Sequence, residues 1–339
     1  MKRILIQTAK YLFFLLFGVF LLWLSFRKLS LDAVWDDIRH AHYSWMLLAL
    51  VFAFAAHAFR ALRWNLLINS LGYKTRLTTT FYAVMIGYMA NTAVPRMGEF
   101  MRCGVLSRKE KIPFNALFGT VISERFFDLI VLMAILFGVI FFQWKLLGSF
   151  VTRMTKPLVD TIHEHQILLF VMIAILIVLI GLAIYLFYFF RERFRKMPGY
   201  SKTMELLRGL SEGVKTIQRV KQKGMFTVYT ILIWFMYALM LYIPFFMLDE
   251  TSGLDFIASV TMLAIGSLGI VAPVPGGIGA YHFIGKAVLV ELYNVPGVAA
   301  GSFVALTHAG QTLLHIIMGG LSYFVMFFVD HKKALNDEK

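Results

Sequence analysis

Three charged residues, Glu124, Arg125 and Asp128, lie within one strongly apolar segment, residues 114–143. A charge at the centre of a bilayer-crossing helix costs about 2.5–3.5 kcal/mol on insertion scales, so such residues are candidates for function. Glu124 and Asp128 are four residues apart and share a helical face, and Arg125 is placed to pair with Glu99 or with a lipid phosphate. Two interpretations follow: a polar path for a lipid headgroup, or an internal ion network that joins a helix to a hairpin.

Two further groups of residues lie where proline and glycine interrupt apolar segments. They are Arg96, Gly98, Glu99 and Arg102 at the first break, and Pro275, Gly276, Gly277 and Gly279 at the second. Interrupted helix ends expose backbone N–H groups that suit a phosphate, arginine adds bidentate contacts, and glycine permits close backbone approach. We therefore expect one phosphate-bearing ligand to contact both breaks, although turn formation alone also accounts for the glycines.

The other polar residues of the apolar segments favour more ordinary roles. Arg60 and Arg63 end a span, so we expect them to snorkel to the membrane surface, with headgroup capture as the alternative. His308, Gln311 and His315 share one helical face, which indicates interhelical hydrogen bonds or a proton relay. No carboxylate or third ligand group lies near them, and no order of residues typical of hydrolytic catalysis occurs. We expect no metal, no cofactor and no catalytic centre.

The composition excludes a soluble domain. Of the 339 residues, 59% are hydrophobic and 15% are charged, with a mean hydropathy of +0.74, whereas soluble domains are about 25% charged. The net charge of +14 then indicates orientation against anionic lipid rather than binding of nucleic acid. The single cysteine, Cys103, excludes an intramolecular disulfide and a cysteine-based metal cluster.

Residues with this chemistry must be positioned by membrane-spanning helices, which need about 20 apolar residues each. Two apolar arms of about 17 residues, 78–94 and 256–272, end at the proline and glycine breaks and predict re-entrant hairpins. The predicted fold is an all-α polytopic membrane protein with six spanning helices and two re-entrant hairpins. The predicted spans are residues 4–26, 43–59, 114–143, 167–190, 225–248 and 298–329.

We expect a single membrane domain over residues 1–339. Its first half, 1–143, contains hairpin 78–108, and its second half, 225–339, contains hairpin 256–292. Residues 144–224 supply a linking span and a basic segment. Pairing Arg96 to Gly98 with Gly277 to Gly279 aligns the two breaks across three spans, which predicts an inverted repeat like that of many transporters. The alternative is two unrelated helix breaks.

The distribution of basic residues predicts the orientation. One side of the predicted topology holds 25 of the 33 lysines and arginines, and the other holds 7. The positive-inside rule therefore places both termini in the cytoplasm, and we expect a multi-pass protein of the inner (cytoplasmic) membrane. Segment 191–223 alone carries ten basic residues, which indicates a helix on anionic headgroups or a solvated loop.

Four motifs resemble those of the flippase-like membrane domain, also called the lysylphosphatidylglycerol synthase transmembrane family. Arg60–Trp64 resembles the family motif R-x-x-R-W, and residues 95–102 resemble P-G-R-x-G-E-x-x-R. Residues 124–128 resemble E-R-x-x-D, and residues 275–279 resemble P-G-G-x-G. The resemblance covers nearly the whole chain. Two differences stand out: one glycine is missing before the arginine of the second motif, and His282 stands where many members have Glu.

The resemblance implies the membrane half of proteins that attach an amino acid to phosphatidylglycerol and move the product between leaflets. It implies a flippase or scramblase for a phosphate-bearing lipid, an anionic or zwitterionic phospholipid or glycolipid, with His282 among the ligand-contacting residues. The competing hypotheses are an integral-membrane transferase acting on a polyprenyl-phosphate or phospholipid, and a non-transporting lipid-binding partner of a separate lipid-modifying enzyme. A transferase for sugar nucleotides usually needs a metal-carboxylate site, and the sequence has no D-x-D.

Overall fold

The computed structural model describes residues 2–148, 181, 220–270 and 274–329, and this part of the chain is helical without β-strands. Apart from residue 181, the segments 167–190 and 191–219 lie outside the described residues, so the span and most of the basic segment predicted there are not tested. The helices are α1 (Lys2–Phe26), α2 (Leu31–His40), α3 (Tyr43–Ser70), α4 (Leu77–Ala93), α5 (Met97–Glu110), α6 (Phe114–Phe142), α7 (Lys223–Tyr242), α8 (Asp249–Ser252), α9 (Phe256–Ile270), α10 (Ala280–Tyr293) and α11 (Gly297–Phe324).

Four of these helices are long and apolar enough to cross a membrane: α3, α6, α7 with its 3₁₀ extension to Met247, and α11. Residues 12–26 of α1 form a fifth span, or a re-entrant loop, with α2, because the two helices meet at 88°. The predicted all-α membrane fold is confirmed, whereas the count of six spans is not. The second span was predicted to end at residue 59, but α3 continues to Ser70.

The first hairpin is closed by a contact between two glycines. Pro95 and Arg96 separate α4 from α5, and Arg96 adopts the left-handed conformation that reverses the chain, with φ 60°. A Cβ added to Gly87 would lie 2.8 Å from the carbonyl oxygen of Gly98, so the two arms approach at backbone distance. The amide of Gly98 donates to the side-chain oxygen of Asn91 at 2.7 Å. The arms therefore pack as one helical hairpin.

The second hairpin, α9 and α10, is covered by α1. Gly279, with φ 83°, lies directly against the carbonyl oxygen of Gly18, where no Cβ fits. Further along α10, the Lys286 ammonium donates to the carbonyl oxygen of Ser25 at 2.6 Å. This interaction satisfies one of the carbonyls that the end of α1 leaves without a helical partner.

The two hairpins share a backbone pattern at their turns. In each, an extended valine precedes a proline, and the next residue is left-handed: Arg96 with φ 60° and Gly276 with φ 59°. The predicted pairing of Arg96 with Gly277 is therefore wrong by one position. The second turn inserts residues 277–279 before its helix begins. Glycine-based alignment missed this insertion because the prolines, not the glycines, mark the equivalent points.

The ends of the second arms repeat as well. Helices α5 and α10 are both 14 residues long. Each is followed by a left-handed residue, Lys111 with φ 54° and Asn294 with φ 55°. One apolar residue later comes the proline, Pro113 or Pro296, that precedes the next long helix. The second arms and the helices after them therefore align without a gap.

The helix contacts of the two halves correspond as well. Helix α3 packs on α4 in the first half, as α7 packs on α9 in the second, and α3 and α7 pack on each other. Helix α4 contacts α11, and in the same way α9 contacts α6. Each hairpin is thus held against the last helix of the other half. That the halves are inverted relative to one another stays a prediction, because the linking span lies outside the described residues.

The orientation can be tested by labelling introduced cysteines in intact cells, on a Cys103→Ser background. Thr251, at first sight a suitable external position, is buried and donates to the Phe245 carbonyl at 2.7 Å, so the exposed Glu250 is the better site. We expect a membrane-impermeant reagent to label Glu250→Cys from outside and Lys74→Cys, also exposed, only after permeabilisation. The reverse pattern would contradict cytoplasmic termini.

Candidate functional site

Five charged side chains from three helices form a buried ion network. Arg63 donates to Asp128 at 2.6 Å, and Arg60 donates to the other oxygen of Asp128 at 2.8 Å. Glu124 accepts from Arg102 at 3.1 Å and lies 3.4 Å from both Arg60 and Arg63. Arg63 and Glu124 have no exposed surface. We define these five residues as the ion network; it joins α3, α5 and α6.

The snorkelling predicted for Arg60 and Arg63 is wrong. Both guanidinium groups point inward because Glu124 and Asp128, one turn apart on α6, face them. Charges buried in this way need paired partners. The internal-network interpretation of Glu124 and Asp128 is confirmed, and Arg102 extends the network to the first hairpin.

Neighbouring side chains complete the surroundings of the network. The guanidinium of Arg102 lies over the ring of Trp64, 4.7 Å from its centroid, where a cation–π attraction acts. The indole N–H of Trp64 donates to Thr120 at 2.8 Å, and Arg63 also donates to Thr230 at 3.3 Å. The spacing of R-x-x-R-W places both arginines and the tryptophan near one face of α3. This face packs against other helices, so all three side chains are buried.

A cavity of about 460 Å³ lies between the two hairpins, α6 and α11. Predicted residues that line it are Arg96 and Glu99 of the first hairpin, Arg125 of α6, Gly276 and Gly277 of the second turn, and His308, Gln311 and His315 of α11. The expectation that both breaks contribute to one polar cavity agrees with this geometry. The turns also meet directly, because a Cβ on Gly276 would lie 3.6 Å from the Cα of Thr92.

The pairing of Arg125 with Glu99 is confirmed. Arg125 Nη2 lies 2.9 Å from Glu99 Oε1. Unlike the ion network, this pair is accessible: the side chains are 42% and 22% exposed, and both line the cavity. Glu99 Oε2 is buried and has no hydrogen-bond partner among the described residues. The pair is thus available to a ligand in the cavity, whereas the ion network is not.

Histidines connect α11 to the rest of the site. His308 Nε2 donates to the carbonyl oxygen of Gly276 at 2.9 Å, and His315 Nε2 lies 3.1 Å from His57 Nε2 of α3. The interhelical contact predicted for this face is confirmed for His315, whereas His308 bonds to the turn of the second hairpin and not to another helix. His282 is buried, its Nδ1 lies 3.4 Å from the amide of Gly279, and its ring centroid lies 4.8 Å from that of His308.

Several predicted ligand contacts do not reach the cavity. Gly98 and Gly279 are packed against protein backbone instead. The close approach that their lack of a side chain permits is an approach to Gly87 and Gly18, not to a ligand. Pro275 and His282 are buried and do not line the cavity wall. The predicted site residues thus divide into a structural set, which includes the ion network, and a cavity set.

Some cavity residues had escaped the sequence analysis. Tyr88 stacks on His315 with centroids 4.8 Å apart, and its hydroxyl lies 3.2 Å from that of Tyr237. Tyr281 stacks on His308 at 5.5 Å. Single tyrosines in apolar arms give no periodic signal that separates a cavity wall from a core. Tyr88 and Tyr281 do lie close in sequence to the two breaks, and this position is the one sequence feature that points to the cavity.

These features define the class of the protein: a multi-pass integral membrane protein with a cavity between two helical hairpins, whose wall includes charged and polar side chains. The sequence matches the family described as the lysylphosphatidylglycerol synthase TM region over residues 11–319, and the chain belongs to that family. It is 24% identical over 319 residues to a UPF0104 membrane protein of Methanocaldococcus jannaschii, covering 90% of this chain and 92% of that protein. No solved structure matches the chain.

Proposed function

We propose that this protein is a flippase or scramblase that moves a phosphate-bearing polar lipid between membrane leaflets. The observation that carries the proposal is the charged cavity between the hairpins, set among helices long enough to cross a membrane. Its volume of about 460 Å³ is within the roughly 300–1,000 Å³ of typical ligand sites. The headgroup would occupy the cavity while the acyl or prenyl chains stay in the bilayer.

The charge of the cavity supports a phosphate ligand. Arg96 and Arg125 line it against a single carboxylate, Glu99. Guanidinium groups bind phosphate oxygens with two parallel hydrogen bonds, and a turn containing Gly276 and Gly277 allows backbone approach. The family description names a phospholipid, lysylphosphatidylglycerol, which agrees with this chemistry.

The proposal extends to location and partners. The basic residues favour the inner membrane, with both termini in the cytoplasm. The partners are membrane lipids of anionic or zwitterionic type, and a separate enzyme would modify the lipid that this protein moves. In this view the protein is itself a transporter and not an enzyme.

Reconstitution into liposomes tests the function. Vesicles containing the protein and a fluorescent lipid, phosphatidylglycerol, phosphatidylethanolamine or a glycolipid, are treated with a membrane-impermeant quencher. We expect the wild-type protein to expose inner-leaflet lipid of at least one class faster than protein-free vesicles do. Thr312→Trp, which places a large ring at the cavity wall, should remove this exchange without loss of folded protein.

The same vesicles separate the alternatives. Wild-type exchange equal to that of protein-free vesicles for every lipid class would overturn the proposal. Mass spectrometry of the recovered lipids and of added polyprenyl phosphate with sugar nucleotide would reveal covalent modification, which would favour a transferase. Binding of lipid without either exchange or modification would favour a lipid-binding partner protein.

A further inference from the structure

The repeat assigns equivalent positions to an arginine and a histidine. Pro113 and Pro296 occupy the same place before α6 and α11, and the twelfth residue after each is Arg125 and His308, respectively. The second arms align without a gap, so Glu99 of α5 corresponds to His282 of α10.

The contacts agree with this correspondence. In the first half, Arg125 and Glu99 form an ion pair at 2.9 Å. In the second half, the rings of His308 and His282 lie against each other with centroids 4.8 Å apart. Arg125 and His308 both line the cavity. One half therefore presents a permanent cation to the cavity, and the other presents at the same position a group that becomes a cation only on binding a proton.

Hydrogen bonding identifies the nitrogen that takes the proton. The carbonyl oxygen of Gly276 can only accept, so His308 Nε2 carries a hydrogen and donates to it. In the neutral ring the other nitrogen, Nδ1, then carries the lone pair that can accept a proton. Protonation at Nδ1 gives an imidazolium that keeps its bond to Gly276, so the charge changes without loss of this contact.

From this we propose that His308 is a proton-binding residue of the cavity, and that its protonated form supplies a cationic contact for the lipid phosphate equivalent to that of Arg125. The inference rests on the proposed function, since it assumes that the cavity holds a phosphate. It makes binding of the lipid, and hence its movement, dependent on a proton.

Other groups around His308 determine how a test must be controlled. On the packed helices these are His282 and Tyr281 of α10, Tyr88 of α4, and the pair of His315 with His57; across the cavity they are Arg96, Glu99 and Arg125. A proton on His282, which contacts His308, or on His315, which lines the same cavity, would also change the charge near the ligand, so each of these two needs its own variant.

Binding measured against pH tests the proposal directly. Isothermal titration of dihexanoyl phosphatidylglycerol into the detergent-solubilised full chain should give tighter binding at pH 5.5 than at pH 8.0, by about tenfold, because a charged donor replaces a neutral one. His308→Arg should bind at pH 8.0 as tightly as the wild type at pH 5.5. His308→Gln, which keeps a donor for Gly276, should bind weakly at both.

The matched controls are His315→Gln and His282→Gln, which should keep the tenfold difference between the two pH values. Loss of that difference in either control but not in His308→Gln would overturn the proposal, as would wild-type binding that is the same at both pH values.

Lipid exchange in vesicles at the two pH values separates the role of His308 from the proposed transport function. Exchange that is present but independent of pH leaves the proposed function standing and refutes the role of His308. Binding that depends on pH through His308, without any exchange, supports the proton site and refutes the transport function.

Discussion

Replacing Glu124 with glutamine should destabilise the folded protein by about 3–5 kcal/mol, the usual cost of removing one partner from a buried ion pair. The ion network contains three arginines and two carboxylates. Without Glu124, only Asp128 would balance three buried cations. The free energy of unfolding can be measured by titration with dodecyl sulfate in mixed micelles, followed by tryptophan fluorescence.

The stoichiometry of the network supplies a sharp comparison. Arg102→Met leaves two arginines with two carboxylates, and a methionine of similar length fills the space, so its loss of stability should be clearly smaller. Glu99→Gln, in the accessible pair with Arg125, should also cost less than Glu124→Gln. Equal stability of Glu124→Gln and the wild type would show that the network is not paired as described.

Replacing Arg125 with alanine should lower lipid exchange in proteoliposomes by about 10- to 100-fold, because hydrogen bonds to charged groups contribute roughly 1.5–3 kcal/mol each. Arg125 lines the cavity and sits outside the ion network. Its loss should therefore reduce exchange far more than stability. The rate is measured by quenching of fluorescent phosphatidylglycerol.

Two controls bracket this result. Arg39→Ala removes an exposed arginine on α2, remote from the cavity lining, and should leave exchange at the wild-type rate. Arg125→Lys keeps the charge but not the bidentate geometry, so it should fall between the wild type and the alanine variant. Exchange by Arg125→Ala at the wild-type rate would remove this residue from the headgroup path.

The helix breaks could be predicted because proline stops a helix by local chemistry alone. Pro95 lacks an amide hydrogen, and the arm before it ends at Ala93, where the sequence indicates. Helix α2 was missed within a predicted loop, although Ser30 accepts from the Ala33 amide as a typical cap. A capping residue before a short polar helix is easily passed over when apolar length is the main criterion.

The ion network could not be predicted in full, because its partners are distant in the sequence. Arg60 and Asp128 are 68 residues apart, and nothing on α3 alone indicates whether a guanidinium points to water or to another helix. The motif resemblance linked these residues to a site without placing them in space. The separation into buried network and accessible cavity depends on helix packing, which residue spacing does not encode.

The contact between α1 and the second hairpin has a consequence for synthesis in the cell. Lys286 and Ser25 are 261 residues apart, so α1 is synthesised well before the segment with which it pairs. At roughly 5–20 residues per second, α1 waits in the membrane for tens of seconds before Gly279 can pack against Gly18. Chaperones or neighbouring proteins that shield α1 during this interval would govern the yield of assembled protein.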